Sequence, residues 1–277
     1  MPLCNMKSLL KEAEQKKKAV GAFNVGNMEM IIAVVKAAED LNFPVIMQVA
    51  EKRLTHSPLD LMGPMMVNAA KRAKVDIAVH FDHGVSFENI QKALDCGFTS
   101  VMFDGSLYAL EENIKKTSEV VSMASKYGAD VEGEIGVVGG NEGGNVNHTI
   151  CYTDPTDALT FSKRAKLTAL AIAIGNAHGN YTVAPDLRFD ILEKTAKLVD
   201  LPIVLHGGTG LTEEDFKTAI RLGIRKVNIA TSCYDALTAS AQSYFIKDGH
   251  HDFFGLNEAM IEGFYEKVKQ HIHIFND

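Results

Sequence analysis

Little in this 277-residue chain ties it to a membrane, a disulfide framework or nucleic acid. Its four cysteines, Cys4, Cys96, Cys151 and Cys233, are scattered with no C-x-x-C pair. That spacing reads as reduced thiols and excludes a disulfide scaffold or a structural zinc site. No apolar run approaches the ~20 residues of a membrane span. The opening MPLCNMKSLLKEAEQKKK lacks the apolar segment and small-residue cleavage site of a secretory signal, so a cytoplasmic location is expected. Positive charge is in deficit: the formal net charge is −7, which makes nucleic acid and anionic membrane poor partners. The run Lys16–Lys18 reads as the solvated end of a first helix. Low-complexity, linker-like and repeated blocks are also missing, and 1–277 reads as one domain.

What is present is a strict alternation. Strand-like runs fall at 20–25, 44–49, 77–82, 100–105, 130–136, 169–174, 202–207 and 226–230, separated by helical patterns such as 28–41, 86–97, 110–128 and 212–223. Ser86, Asp154 and Thr212 suit N-caps, with Pro155 at a first helical position. Gly97, Gly128 and Gly223 stand where helices should stop. Eight βα repeats in a chain of this length favour a closed (β/α)₈ barrel over an open sheet. A further helix, roughly 256–274, lies beyond the eighth repeat as a C-terminal arm or an oligomer contact.

In such barrels the ends of the strands build the active site. Here three histidines, His83, His178 and His206, each follow an apolar run and precede a glycine. Three imidazoles brought to one rim can hold a divalent ion and leave a coordination position open. His56, His148, His250, His251, His271 and His273 fall in loops or the C-terminal tail and are expected at the surface.

Other strand ends are polar too. Asp82 would either orient an imidazole or act as an acid/base group beside the cation. Asp104 and Glu134 could support the ligands or hold a second cation. Glu132 should face the same side as Glu134, two residues on, with its role open. HGGTG at 206–210 and NIATS at 228–232 precede helices expected near Thr212 and Tyr234. Glycine turns and helix starts of this kind bind phosphate, with Gly207 and Gly208 allowing close approach and Thr209, Thr231 or Ser232 offering hydroxyls. The glycine-rich stretch 137–155 reads as a lid. A metal beside a phosphate cradle suits carbon–carbon bond cleavage or formation next to a ketone.

Several segments carry a family resemblance: AFNVxNMEM (22–30), HFDHG (80–84), TSVMFDGS (99–106), VEGEIG (131–136), YTDP (152–155), AIGNAHGNY (173–181), LHGGTGL (205–211) and KVNIAT (226–231). In order and spacing they resemble the class II, metal-dependent ketose-bisphosphate aldolases, and the branch with the smaller fructose- and tagatose-bisphosphate enzymes. The resemblance implies zinc on His83, His178 and His206, and a second or displaced cation at Asp104 and Glu134. It implies Asp82 as the group exchanging the hydroxyl proton, and Glu142 as the lid residue exchanging the proton at the dihydroxyacetone phosphate carbon. It further implies a dihydroxyacetone phosphate site at Gly179, Gly207, Gly208, Thr209, Asn228, Ile229, Ala230 and Thr231, where a monovalent cation also binds, and a homodimer or homotetramer. No Schiff-base lysine is used in this class, which agrees with an expected absence of lysine from the apolar strand interiors. Two positions depart from the pattern: Ala50 replaces a common serine, and Val137 a usual arginine. Both bear on the second substrate. The alternatives are a related aldolase with a different, even unphosphorylated, aldehyde, and a non-catalytic sugar-phosphate-binding barrel.

Overall fold

The computed structural model describes residues 2–140, 150–180, 185–247, 249 and 251–277. Eight parallel strands pair in chain order and close on themselves: β1 (Val20–Asn24), β2 (Val45–Ala50), β3 (Ile77–Gly84), β4 (Ser100–Phe103), β5 (Asp130–Ile135), β6 (Ala169–Ile172), β7 (Ile203–Leu205) and β8 (Ile224–Ile229). The closing pair sets Val20 against Lys226 and Ala22 against Asn228. The helices among the described residues are α1 (Met6–Lys16), α2 (Met28–Leu41), α3 (Leu59–Arg72), α4 (Phe87–Asp95), α5 (Leu110–Ser125), α6 (Pro155–Ala165), α7 (Phe189–Leu198), α8 (Glu213–Arg221), α9 (Thr231–Ile246) and α10 (Phe253–Asn276). None of them is long and apolar enough to cross a membrane.

The helix ends follow local chemistry. Ser86 Oγ accepts from the Asn89 amide at 3.3 Å, and Asp154 Oδ1 accepts from Thr156 and Asp157 at 2.7 and 3.2 Å. Thr212 and Asp215 form a reciprocal capping box. Gly97, Gly128 and Gly223 all take positive φ just past helix ends, as expected. Two ends differ from expectation: α9 starts at Thr231 rather than near Tyr234, and α10 reaches from Phe253 to Asn276 and packs on α9 and α2.

Side-chain alternation divides the interior in two. One set of strand positions, including Phe23, Met47, Val79, Phe81, Val101 and Phe103, packs outward against Ile31 and Val34 of α2, Phe216 of α8 and Phe264 of α10. The other set points into the barrel. At its N-terminal end Val20, Ala22, Ile46, Ala78, Ala169, Ala171 and Val204 meet Met6, Leu9 and Leu10 of α1, which plugs the opening. Further along the same strands the buried residues turn polar: Asn24, Gln48, His80, Asp82, Glu132, Glu134, Lys226 and Asn228.

Two expectations are corrected here. Lys226 is fully buried inside the barrel, so a strand interior does hold a lysine. It escapes the reading because β8 begins at Ile224, which makes Lys226 a mid-strand residue instead of a solvated first one. His271 is also buried, on α10. Its Nδ1 donates to the Lys267 carbonyl at 2.9 Å, which satisfies one ring nitrogen and lets the ring lie against Phe216 and Phe275. His56 and His273 are exposed and His251 is half-buried, while His148 and His250 lie outside the described residues.

Candidate active site

Adjacent residues on a strand point to opposite faces, yet Asp82 and His83 both face the barrel axis. The register between β3 and β4 shifts between Phe81 and Gly84, and His83 takes a left-handed backbone with φ 47°. That conformation costs about 1–2 kcal/mol for a residue with a Cβ, and it turns the imidazole back toward its neighbour's side. His206 comes directly after β7. His178 sits in the loop after β6, where its amide donates to the Gly139 carbonyl at 2.8 Å. The chain passes so close there that a Cβ on Gly140 would stand 2.3 Å from the His178 carbonyl oxygen. Asn176 ties the two loops together, accepting from the Ile174 amide at 2.8 Å and donating to the His206 carbonyl at 2.9 Å.

The three rings converge. Their centroids are 4.9 Å (His83–His178), 4.6 Å (His83–His206) and 5.9 Å (His178–His206) apart. One nitrogen from each lies within 4.8 Å of the other two. A carboxylate only accepts, so each carboxylate contact fixes a tautomer. His83 Nδ1 donates to Asp104 Oδ2 at 2.8 Å, and His206 Nε2 donates to Glu132 Oε1 at 2.8 Å. The remaining nitrogens, His83 Nε2 and His206 Nδ1, then face each other at 2.8 Å. Two lone pairs that close need a shared positive charge. In the protein alone a proton supplies it: burial opposes a charged His83, but the surrounding carboxylates, Asp82 foremost, push its pKa up to about 10. His178 is half-buried, and its two ring nitrogens, both out of contact with solvent, have no hydrogen-bond partner among the described residues. Glu134 Oε2 is also buried, has no hydrogen-bond partner among the described residues and lies 3.8 Å from His206 Nδ1. Burial, then the Asp104 carboxylate, raises the Glu134 pKa well above the usual range.

Asp82 accepts from amides, and from no imidazole among the described residues. Its Oδ2 accepts from Asn24 Nδ2 at 2.9 Å and its Oδ1 from Asn228 Nδ2 at 3.1 Å, while Gln48 Nε2 holds Asn24 Oδ1 at 2.8 Å. Burial works against its ionisation, but His83 and the other neighbouring cations win and hold its pKa below the usual carboxylate value. Ser106 supports Asp104 through its amide and hydroxyl, at 3.2 and 2.7 Å. His83, Asp104 and Glu134 form a second group with cation-ligand spacing.

Above the rings opens a polar cleft of about 300 Å³ lined by Asn24, Asp82, His83, His178, Gly179, Gly207, Gly208, Thr209, Asn228, Ala230 and Thr231. Every expected substrate-site residue lines it except Ile229, whose side chain is buried in the outward-facing core because it alternates with Asn228. A roomier apolar groove between α2 and α3 lies away from this chemistry. Ala50 is buried next to Asp82 in the β2–β3 register, and Val137 pairs with Cys151. Glu142 lies outside the described residues. Sequence reasoning gave no role to Asn24, Gln48, His80 and Lys226, although a polar residue every second position within apolar runs is their signal.

Residues 4–277 match the family model described as fructose-bisphosphate aldolase class-II. The chain belongs to that family. The fructose-bisphosphate aldolase of Geobacillus stearothermophilus is 40% identical over 257 residues, 90% of this chain and 88% of that protein. The 6-phospho-5-dehydro-2-deoxy-D-gluconate aldolase of Bacillus velezensis is 37% identical over 254 residues, covering 90% and 87%. Among solved structures, the YdjI aldolase from Escherichia coli K12 superposes with a TM-score of 0.89 at 34% identity, covering 99% of this chain and 97% of that one. Class II aldolases are metal-dependent, and the residues present here fit a cation: facing imidazole nitrogens, and two nitrogens on His178 and a Glu134 oxygen with no hydrogen bond among the described residues.

Proposed function

We propose that this protein is a zinc-dependent aldolase that reversibly cleaves a ketose 1,6-bisphosphate, of fructose or tagatose type, to dihydroxyacetone phosphate and an aldehyde. The carrying observation is the His83–His206 pair, each braced by a carboxylate and facing the other with bare nitrogens beside His178. His83, His178 and His206 would hold the zinc, and Asp104 with Glu134 a second or displaced cation. When bound, the metal supplies Lewis acidity toward the ketone and enediolate oxygens.

The chain's own groups do the rest. Asp82, held on both oxygens by amides, is fixed to take the hydroxyl proton as the carbon–carbon bond breaks and to return it in condensation. Glu142 would protonate the carbon left behind. The cleft formed by Gly179, Gly207, Gly208, Thr209, Asn228, Ala230 and Thr231 would seat the dihydroxyacetone phosphate end, together with a monovalent cation. No side chain caps α9 at Ala230, and Ser232 Oγ is buried without a partner among the described residues, so donors remain there for phosphate oxygens. A homodimer or homotetramer in the cytoplasm completes the reading.

A coupled cleavage assay on fructose and tagatose 1,6-bisphosphates tests it. Chelation should abolish cleavage and zinc restore it; full activity in metal-free protein would falsify the reading. A second reading follows from Ala50, which places no hydroxyl beside Asp82. It is an aldolase of the same mechanism that takes another aldehyde. Condensation of dihydroxyacetone phosphate with a panel of aldehydes separates the two: strong preference for glyceraldehyde 3-phosphate ends the second.

A further inference from the structure

Lys226 is the one charged strand residue above with no place in that mechanism. It is fully buried, and it does not line the cleft. Its Nζ lies 2.8 Å from Glu132 Oε2 and donates to Asn228 Oδ1 at 2.8 Å. Both partners reach further groups: Asn228 Nδ2 also lies 3.3 Å from His206 Nε2, and Glu132 Oε2 lies 3.8 Å from His80 Nε2. Glu132 uses its other oxygen to accept from His206 Nε2, and Asn228 uses its other atom, Nδ2, to donate to Asp82 Oδ1.

We propose that Lys226 is a positioning residue: one buried ammonium fixes the tautomer of a metal-ligating histidine and the direction of the amide that holds the proton-transfer carboxylate. With an ammonium on Glu132 Oε2, that carboxylate is held with Oε1 on His206 Nε2, which turns Nδ1 toward His83 Nε2 as the ring's accepting nitrogen. With the same ammonium on Asn228 Oδ1, that amide cannot flip, because an ammonium only donates. Its Nδ2 therefore points at Asp82. Stability alone does not account for a lysine here. Taking an ion pair out of water is costly, and apolar replacements of similar volume are often neutral or stabilising. Nor is Lys226 placed as a nucleophile, since both contacts hold Nζ inside the barrel below the cleft.

The inference rests on the aldolase reading for Asp82 but not for zinc binding, and the test separates the two. Lys226→Met leaves Glu132 buried without its cation and is expected to weaken folding, so Lys226→Met/Glu132→Gln, which removes both charges, is made beside it. Zinc affinity is measured by chelator competition without substrate, and His206 ring-nitrogen NMR is recorded on the metal-free proteins. The folded double variant should bind zinc about 10–100-fold more weakly, and its His206 should populate both tautomers where the wild type shows only the Nε2–H form. In the cleavage assay kcat should fall about as far, on the same grounds, with KM changed much less. Weakened zinc binding with mixed tautomers supports the inference even if the wild type cleaves no ketose bisphosphate, an outcome that sinks only the aldolase reading. Wild-type zinc affinity and a single His206 tautomer in the double variant overturn it. So does a covalent adduct on Lys226 after borohydride treatment with dihydroxyacetone phosphate.

Discussion

The two mouths of this barrel are built by the same strands and contain opposite materials. At the N-terminal mouth, Val20, Ala22, Ile46, Ala78 and Val204 close over Met6, Leu9 and Leu10 of α1 with hardly a polar atom. A few residues further along, the same inward positions read Asn24, Gln48, His80 and Asp82. The first end gains its stability from transferring apolar surface out of water, about 1.5–3 kcal/mol for each large side chain. The second end forgoes that gain and buries carboxylates, imidazoles and an ammonium, held by mutual hydrogen bonds and ion pairs, with His178 left without a hydrogen-bond partner among the described residues. Stability and chemistry are thus separated along a barrel axis, and mutations at the two ends should fail in different ways.

The largest separation is expected at Asp82. Asp82→Ala should lower kcat by about 10²–10⁴-fold, the range for losing a positioned acid/base group, while zinc content by metal analysis stays close to wild type. A variant that loses zinc instead would make Asp82 part of the cation site, and the division of labour proposed at this mouth would be wrong. At the other end, Leu10 is fully buried in the α1 plug. Leu10→Ala should cost about 2–5 kcal/mol of stability, read from the denaturant midpoint, with kcat unchanged in the folded population. A matching collapse of kcat would show that the plug and the site are one cooperative unit.

How far each end can be read from sequence follows from the same contrast. Eight apolar runs are legible because burial on both faces demands continuous Val, Ile, Leu and Ala. The three histidines are legible because they interrupt those runs at equivalent places. The joint inward aim of Asp82 and His83 is not, since it depends on a register shift and a left-handed residue inside β3. Lys226 is hidden by a strand boundary two residues earlier than its apolar run suggests. Helix α3 is hidden by Gly63 and Pro64 in its interior, and the start of α9 by Ala230, which supplies no side-chain cap. The resemblance groups Ile229 with its neighbours in the substrate site, although strict alternation after Asn228 turns its side chain to the core.

His271 sharpens the contrast with the braced imidazoles of the active mouth. It packs against Phe216 and Phe275, and Phe275 in turn accepts from the Ala19 amide just before β1, so this histidine belongs to the apolar end. No carboxylate contributes to its titration; burial lowers its pKa to about 4, with Lys267 adding in the same direction and the Lys267 carbonyl opposing. Between about pH 6.5 and pH 4 the unfolded chain therefore binds a proton that the folded one refuses, and stability falls as pH falls through that window. His271→Phe removes this loss. Relative to wild type the variant should gain on the order of 3 kcal/mol between pH 7 and pH 4 by denaturant titration. A difference that stays flat with pH would mean the ring is hydrated or paired in solution.

The smallest expected effect tests whether stability at the active mouth can be changed without touching the chemistry. Thr212 caps α8 directly after the Gly-rich turn, with Oγ1 accepting from the Asp215 amide at 3.2 Å and Asp215 Oδ2 accepting in return from the Thr212 amide at 2.8 Å. The turn itself is held by other contacts: the Gly208 amide on the Asn228 carbonyl at 3.3 Å and Thr209 Oγ1 on the Ser232 amide at 3.1 Å. Thr212→Ala removes one half of the box and leaves those two contacts alone. It should cost about 1 kcal/mol of stability, with KM for the ketose bisphosphate unchanged. If KM rises while the stability loss stays that small, then the cap sets the shape of the phosphate turn, and the boundary between the supporting and the working parts of this barrel lies below Thr212 instead of above it.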